Sequence, residues 1–275
     1  MAITKEEFDL IRHFIHEHSG IQINPGKEYL IENRLTVLLV QNGCENFLQL
    51  HAKLQADSGP LRTKVIDAMT TNETLWFRDD SFAAALSDHI IPALVKKART
   101  VPQVRIWSSA CSTGQEPYSI AMVIHEELRK VDSPPPASKF SILATDLSPS
   151  AIVLASSGRY SQLAISRGMR PDYLERYFKK NGMVYELVPE VRSLVKFQQF
   201  NLMSPFKEHG MFDFLLCRNV LIYFSDELKR QIYGKIHDSL NKDGILAIGA
   251  SESPRGYTNG FQQVMMGSAA MYRPV

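Results

Sequence analysis

Apolar positions in the first 70 residues recur at helical spacing. Thr4 with Glu7 matches a capping box, and Phe8, Ile11 and Ile15 then follow on one face until Ser19-Gly20 ends the run. Asn24-Pro25 predicts an N-cap with proline at the first helical position. The helix it would open carries Leu30, Ile31, Leu35, Leu38 and Leu39 on one broad face and ends at Asn42-Gly43. Two shorter helices are expected over 46–56 and 61–70, split by Ser58-Gly59-Pro60. A segment this small has little core of its own and leans on the rest of the chain.

From residue 103 the rhythm becomes strand, loop, helix. Val104–Ser109 predicts a strand, followed by a small-residue loop and a helix from Glu116 to Lys130. After Pro134-Pro135-Pro136, Phe140–Ala144 predicts a second strand that runs out at Asp146, with a helix behind it. Further strands are expected over 194–200, 212–217 and 244–250, with a long helix Asp226–Leu240 before the last. The tail, 261–273, holds two apolar runs around Gly267, which suits a hairpin. Strands alternating with helices predict an α/β fold with a parallel, doubly wound sheet. Nearly fifty residues separate Asp146 from the strand at 194, more than one crossover needs. Within them Tyr173–Phe178 reads as a helix, and 184–188 as a strand beside Asn181-Gly182. Residues 159–193 are therefore expected to form a small β-subdomain inserted at the sheet edge. The expected organisation is a helical domain over 1–71, a linker and first helix over 72–102, and the α/β domain over 103–275.

Composition narrows the class. An apolar share of 44% and a charged share of 22% are those of an ordinary globular protein. No apolar run reaches the roughly 18 to 20 residues needed to cross a bilayer. The polar start of the chain does not read as a signal peptide, and none is expected. Cys44, Cys111 and Cys217 are odd in number and widely spaced, so neither a disulfide framework nor a metal pair is expected, and the cytoplasm fits. His13, His16 and His18 do not share a helical face, and no metal is expected. Residues 1–75 carry seven Lys/Arg against ten Asp/Glu, leaving 24 against 19 in the remainder. A net charge of +2 implies no nucleic-acid partner by itself.

Four segments could carry chemistry. Ala110–Pro117 lies between the first strand and its helix, where such sheets bind ligands, and its single Gly114 excludes the three-glycine dinucleotide pattern. The segment suits either a ligand or a plain strand–helix turn. Asp146 ends the second strand, where a carboxylate can accept ribose hydroxyls; it could instead be an N-cap, although Ser148 before Pro149 suits that role better. Cys217–Phe224 sets three polar side chains, Arg218, Asn219 and Tyr223, at one strand end, among the core-like Val220, Leu221 and Ile222. Thr71–Arg78 ends in a cation that could close over a carboxylate-bearing ligand, with Leu75, Trp76 and Phe77 packing beneath; the alternative is an ordinary linker. No nucleophile elbow, phosphate loop or zinc pattern occurs.

Taken in order, Asn72-Glu73-Thr74 with Phe77-Arg78, the run Ala110–Ser119, Ala144-Thr145-Asp146, Phe200-Asn201-Leu202 and Cys217–Phe224 resemble the CheR-type chemoreceptor glutamate methyltransferases over nearly the whole chain. The resemblance implies a Rossmann-like methyltransferase domain with a β-subdomain, behind a helical N-terminal domain. It implies S-adenosyl-L-methionine as cofactor and S-adenosyl-L-homocysteine as product. By position, Asn72, Thr74, Arg78, Glu116, Asp146, Asn201, Leu202, Arg218 and Asn219 would surround the cofactor. Asp146 would take the ribose and Asn201-Leu202 the adenine region, with Arg78 near the methionine end and Tyr223 near the transferred methyl group.

The implied reaction is in-line attack of a receptor glutamate oxygen on the sulfonium methyl, giving a γ-methyl ester. The implied partner is the cytoplasmic helical bundle of a methyl-accepting chemoreceptor, with no nucleic acid and no membrane insertion. Tethered family members carry a longer, glycine-rich loop in the β-subdomain, whereas Lys179–Val184 is short and holds one glycine, so tether-independent action is expected. Three other classes compete. They are a nicotinamide dehydrogenase, a methyltransferase acting on nucleic acid or another protein, and a module that senses the cofactor or docks on receptors without turnover.

Overall fold

The computed structural model describes residues 2–56 and 59–275. The chain divides into two compact units, residues 1–71 with 223–229, and residues 72–222 with 230–275.

The first unit is built on four helices: α1 (Lys5–Ser19), α2 (Glu28–Gln41), α3 (Phe47–Ala56) and α4 (Pro60–Met69). α1 begins in a complete capping box. Thr4 Oγ1 accepts from the Glu7 N–H, and Glu7 Oε2 accepts from the Thr4 N–H. It stops at Gly20, whose left-handed φ of 76° lets its N–H return to the His16 carbonyl. Phe8, Ile11 and Ile15 are buried, as are Ile31, Leu35 and Leu39, whereas Leu30 and Leu38 are half-buried, so the apolar face of α2 is narrower than expected. The expected helix start at Asn24-Pro25 is not observed. Gly26 turns the backbone to a φ of 87°, and α2 begins only at Glu28, after a Lys27 cap that forms no side-chain hydrogen bond. The expected break at Ser58-Gly59-Pro60 lies partly outside the described residues; α4 begins at Pro60.

In the second unit, one helical stretch runs from α5 (Asp80–Ala85) through a π-turn (Leu86–Ile90) into α6 (Ile91–Lys97). Pro92 lies at the start of α6 and has no N–H to give, which suits a stretch where the regular ladder is broken. Ten strands follow: β1 (Val104–Ser108), β2 (Phe140–Asp146), β3 (Arg159–Ser161), β4 (Phe178–Asn181), β5 (Val184–Leu187), β6 (Val195–Gln199), β7 (Phe212–Cys217), β8 (Leu240–Ile248), β9 (Phe261–Met266) and β10 (Ala269–Pro274). Between them lie α7 (Gln115–Lys130), α8 (Pro149–Ser157), α9 (Gln162–Ser166), α10 (Pro171–Tyr177), α11 (Pro189–Arg192) and α12 (Asp226–Asp238), whose residues up to Lys229 group with the first unit.

Seven strands form one sheet in the order β6-β2-β1-β7-β8-β10-β9. β1, β2, β6, β7 and β8 run parallel, while the β9–β10 hairpin joins β8 antiparallel. The order reverses between β1 and β7, which places a switch point at their carboxyl ends. β7 is buried at all six positions, as expected for a parallel strand covered on both faces. Its one charge, Asp213, is held by Lys97 Nζ at 2.7 Å, the Arg105 N–H at 2.8 Å and Asn241 Nδ2 at 2.8 Å. β8 starts at Leu240, opposite Phe212, rather than near Gly244, so α12 ends at Asp238, short of the expected Leu240.

β3, β4 and β5 form a separate antiparallel sheet in the order β3-β5-β4. Asn181 pairs with Val184, so only Gly182 and Met183 turn the β4–β5 hairpin. Trp76 anchors the segment before α5 to this small sheet. Its ring lies 4.8 Å from Tyr160 and 5.5 Å from Phe178, and its Nε1 donates to the Ala164 carbonyl. No helix among the described residues is long and apolar enough to cross a membrane.

Two glycines in this region make a controlled pair. Gly168 has a φ of 96°, and a Cβ there would lie 2.3 Å from the Trp76 carbonyl oxygen; Gly182 has a φ of 60° with nothing within 4 Å. Gly182→Ala is expected to cost only the left-handed penalty, about 1–2 kcal/mol. Gly168→Ala should cost clearly more, because backbone cannot move aside as a side chain can. Urea unfolding midpoints of the two variants measure the difference, and equal losses would contradict this packing.

Candidate cofactor and active site

The carboxyl ends of β1, β2 and β7 bring most of the sequence-predicted residues together. β1 leads into the loop Ser109–Gly114, where Ser112 adopts a φ of 49° and Gly114 one of 94°. A Cβ at Gly114 would lie 3.0 Å from both the Ala155 Cβ and the Tyr160 hydroxyl, so this position needs glycine for space as well as for φ. The loop is pinned to β2 and β7: the Cys111 N–H donates to the Thr145 carbonyl, and the Ser109 N–H to the Leu216 carbonyl.

Asp146 is 8% exposed at the end of β2. Its Oδ2 accepts from the Ser112 N–H at 2.8 Å and its Oδ1 from the Ser148 N–H at 2.9 Å. Asp146 is not the helix cap: Ser148 takes that role, its Oγ accepting from the Ala151 N–H, with Pro149 in the first turn of α8. Asn72 closes on the same place. Its carbonyl accepts from Ser112 Oγ at 2.9 Å, and its Nδ2 donates to Ser148 Oγ at 3.2 Å.

Arg218 follows β7 with only 3% of its side chain exposed. Its Nη1 lies 2.8 Å from Glu116 Oε2, and its Nη2 lies 2.7 Å from Asp79 Oδ2 and 2.9 Å from the Arg78 carbonyl. The guanidinium stacks 3.9 Å from the Phe82 ring centroid. Glu116 stands in the first turn of α7, and its Oε1 accepts from Ser108 Oγ at 2.7 Å. Two carboxylates around one guanidinium leave the cluster with a formal charge of −1, which suits a cationic ligand. The buried Nε of Arg218 has no hydrogen-bond partner among the described residues and remains a donor for one.

The other predicted residues fall as follows. Asn219, beside Arg218, takes a φ of 57°, and its N–H donates to Glu252 Oε2 at 2.7 Å. Thr74 and Arg78 are half-buried on the segment before α5. Beneath them Trp76 is buried, while Leu75 and Phe77 are half-buried. Asn201 and Leu202 lie just past β6; Leu202 is buried, and Lys235 Nζ caps the carbonyls of Leu202, Met203 and Ser204 at 3.2, 2.6 and 3.2 Å. Tyr223 groups with the helical unit, where its carbonyl accepts from the Gln22 N–H at 2.8 Å.

Sequence reasoning missed Asp79, Lys235 and Glu252. Asp79 had a local signal, since it follows Phe77-Arg78 directly; the others join the site only through long-range contacts. Burial raises the Cys111 thiol well above its ordinary value, and the neighbouring Asp146 and Glu116 push the same way. Burial raises Cys217 as well. Neither thiol is a nucleophile near neutral pH.

A parallel sheet with a switch point, an acidic strand end and a glycine at the mouth of the next helix define a Rossmann-like domain for a nucleoside-bearing ligand. Residues 72–270 match the family model described as CheR methyltransferase, SAM binding domain, and residues 6–70 match CheR methyltransferase, all-alpha domain. The chain belongs to the CheR methyltransferase family, a family of S-adenosylmethionine-dependent methyltransferases. It is 41% identical over 274 residues to Chemotaxis protein methyltransferase 1 of Pseudomonas aeruginosa, an alignment covering 99% of each chain. It is 39% identical over 275 residues to Chemotaxis protein methyltransferase Cher2 of Pseudomonas putida, again covering 99% of each. Against the Chemotaxis protein methyltransferase of Vibrio parahaemolyticus it is 37% identical, covering 99% of this chain and 98% of that one.

Replacing Arg218 with Met leaves Glu116 and Asp79 without their shared cation. A loss of about 2–3 kcal/mol is expected, below that of a fully enclosed pair because Asp79 is 32% exposed. Pairing Arg218→Met with Glu116→Gln should recover part of the loss. Urea unfolding reads both, and unchanged stability in Arg218→Met would show that the pairs contribute nothing net.

Proposed function

We propose that this protein methylates glutamate side-chain carboxylates in the cytoplasmic helical bundle of methyl-accepting chemoreceptors, forming γ-methyl esters. The observation that carries the reading is the negatively charged Arg218–Glu116–Asp79 cluster at the strand ends, in a chain of the CheR family. Relatives named chemotaxis protein methyltransferases, aligned over nearly their whole length, support the chemotactic setting and with it the cytoplasm.

The residues present fit S-adenosylmethionine, whose sulfonium and ammonium make it a net cation. Asp146 would accept the ribose hydroxyls, and Asn201 and Leu202 would border the adenine. Glu116, Arg218 and Asn219 would enclose the methionine portion, with Asn72, Thr74 and Arg78 closing over it. When bound, the cofactor supplies an electrophilic methyl group. A free glutamate has a pKa of about 4.3, so the substrate oxygen is ionised at neutral pH and needs no general base. The work left to the protein is to align the reactants and exclude water. Tyr223 would orient the attacking carboxylate through its hydroxyl, an assignment that rests on the resemblance alone.

Esterification removes one negative charge from a receptor helix. That relieves like-charge repulsion and biases a two-state receptor, which is how adaptation would follow. The two-residue turn at Gly182-Met183 supports action without a tether to a receptor's C-terminal pentapeptide.

The test is transfer of radiolabelled methyl from S-adenosylmethionine to purified receptor cytoplasmic fragments, followed by mild base. Base-labile label on glutamate is expected, at equal rates on fragments with and without their C-terminal tails. Stable label, or label on nucleic acid instead, would reject the substrate; a rate that collapses on removing the tail would reject tether independence. Tyr223→Phe should lower turnover, and full turnover would remove the proposed role of the hydroxyl.

A further inference from the structure

Glu252 lies in the loop after β8, outside every segment discussed as chemistry-bearing. A single oxygen, Oε2, accepts the N–H of Asn219 at 2.7 Å and the N–H of Gly249 at 2.7 Å. Those two N–H groups stand just beyond the ends of neighbouring parallel strands, β7 and β8. The Glu252 N–H donates in turn to the Gly249 carbonyl at 2.9 Å, which closes the loop on itself. One carboxylate thus ties two strand ends together at the edge where the site lies.

Asn219 holds a left-handed φ of 57°, a conformation asparagine tolerates better than most non-glycine residues but which still gains from a contact that fixes it. The charge-assisted bond from its N–H to Glu252 is such a contact. Space around it is also closed. A Cβ at Gly249 would lie 2.7 Å from Asn219 Nδ2 and 2.7 Å from Glu252 Oε2, so Gly249 is what lets the amide and the carboxylate share this corner. The other oxygen, Glu252 Oε1, is buried with no hydrogen-bond partner among the described residues.

We infer that Glu252 is a positioning residue, which fixes the Arg218–Asn219 turn so that both side chains face the cofactor. The inference rests on the reading of Arg218 and Asn219 as cofactor-binding residues. It does not require Glu252 to touch the cofactor.

The experiment is calorimetric titration of the full chain with S-adenosylhomocysteine, for the unsubstituted protein and for Glu252→Ala, Glu252→Gln and Gly249→Ala. Thermal unfolding of each is recorded without ligand. Glu252→Ala should bind about tenfold more weakly, the size of the lost charge-assisted hydrogen bond from Asn219. Gly249→Ala should weaken binding in the same direction, because it displaces the pair while keeping the carboxylate, and it serves alone if Glu252→Ala does not fold. Glu252→Gln keeps an acceptor oxygen and should recover most of the affinity. Unchanged affinity in Glu252→Ala and Gly249→Ala, whatever happens to their unfolding temperatures, overturns the inference, as does a Glu252→Gln no better than Glu252→Ala. If the unsubstituted protein binds no S-adenosylhomocysteine, the cofactor reading itself fails, and the inference with it.

Discussion

A buried guanidinium is costly unless its charge is met, and Arg218 is met from three directions by Glu116, Asp79 and the Arg78 carbonyl. That requirement organises the edge of the sheet. It brings the first turn of α7 against the end of β7, and it draws in the segment before α5, whose Trp76 is anchored on the small antiparallel sheet. It also sets the sign of the site, since two carboxylates outnumber one cation. A cationic cofactor is what such a site can hold with least penalty.

Backbone strain collects around the same ring. Five non-glycine residues among those described have positive φ, and four of them lie around it: Phe77 and Asp79 on the segment before α5, Ser112 and Asn219 in the loops after β1 and β7. Strain at such positions persists only when neighbouring contacts over-determine it. For Ser112 those contacts are Asp146 and the Asn72 carbonyl; for Asn219 it is Glu252. The amino ends of the same strands differ. There Asp213 is satisfied by Lys97, Arg105 and Asn241, which reads as stability rather than chemistry.

In the proposed reaction the acceptor carboxylate is already ionised, which asks little of acid–base catalysis. The site matches that demand. Its carboxylates are engaged by Arg218, by Ser108 or by backbone N–H groups, and its two cysteines are held protonated by burial. What the geometry offers is fixed dipoles and a fixed charge, the means of holding a cofactor in one orientation.

Much of the fold was legible without coordinates. Helical spacing in the first 70 residues, the Thr4–Glu7 box, the Ser148-Pro149 helix start and the strand–helix alternation after residue 103 are local patterns, and local sterics and hydrogen bonding decide them. Local signals also misled. Asn24-Pro25 has the chemistry of a helix start, yet Gly26 turns the chain away, and Leu240 joined a strand because Phe212 lay opposite it. The sequence alone determined the element types, the doubly wound class and the polar residues crowded at strand ends. Only the tertiary structure decided that Arg218 meets Glu116 and Asp79, respectively 102 and 139 positions away, and that Glu252 reaches back to Asn219. Strand order and register create those meetings, and both depend on how distant segments pack together, which spacing along the chain does not encode.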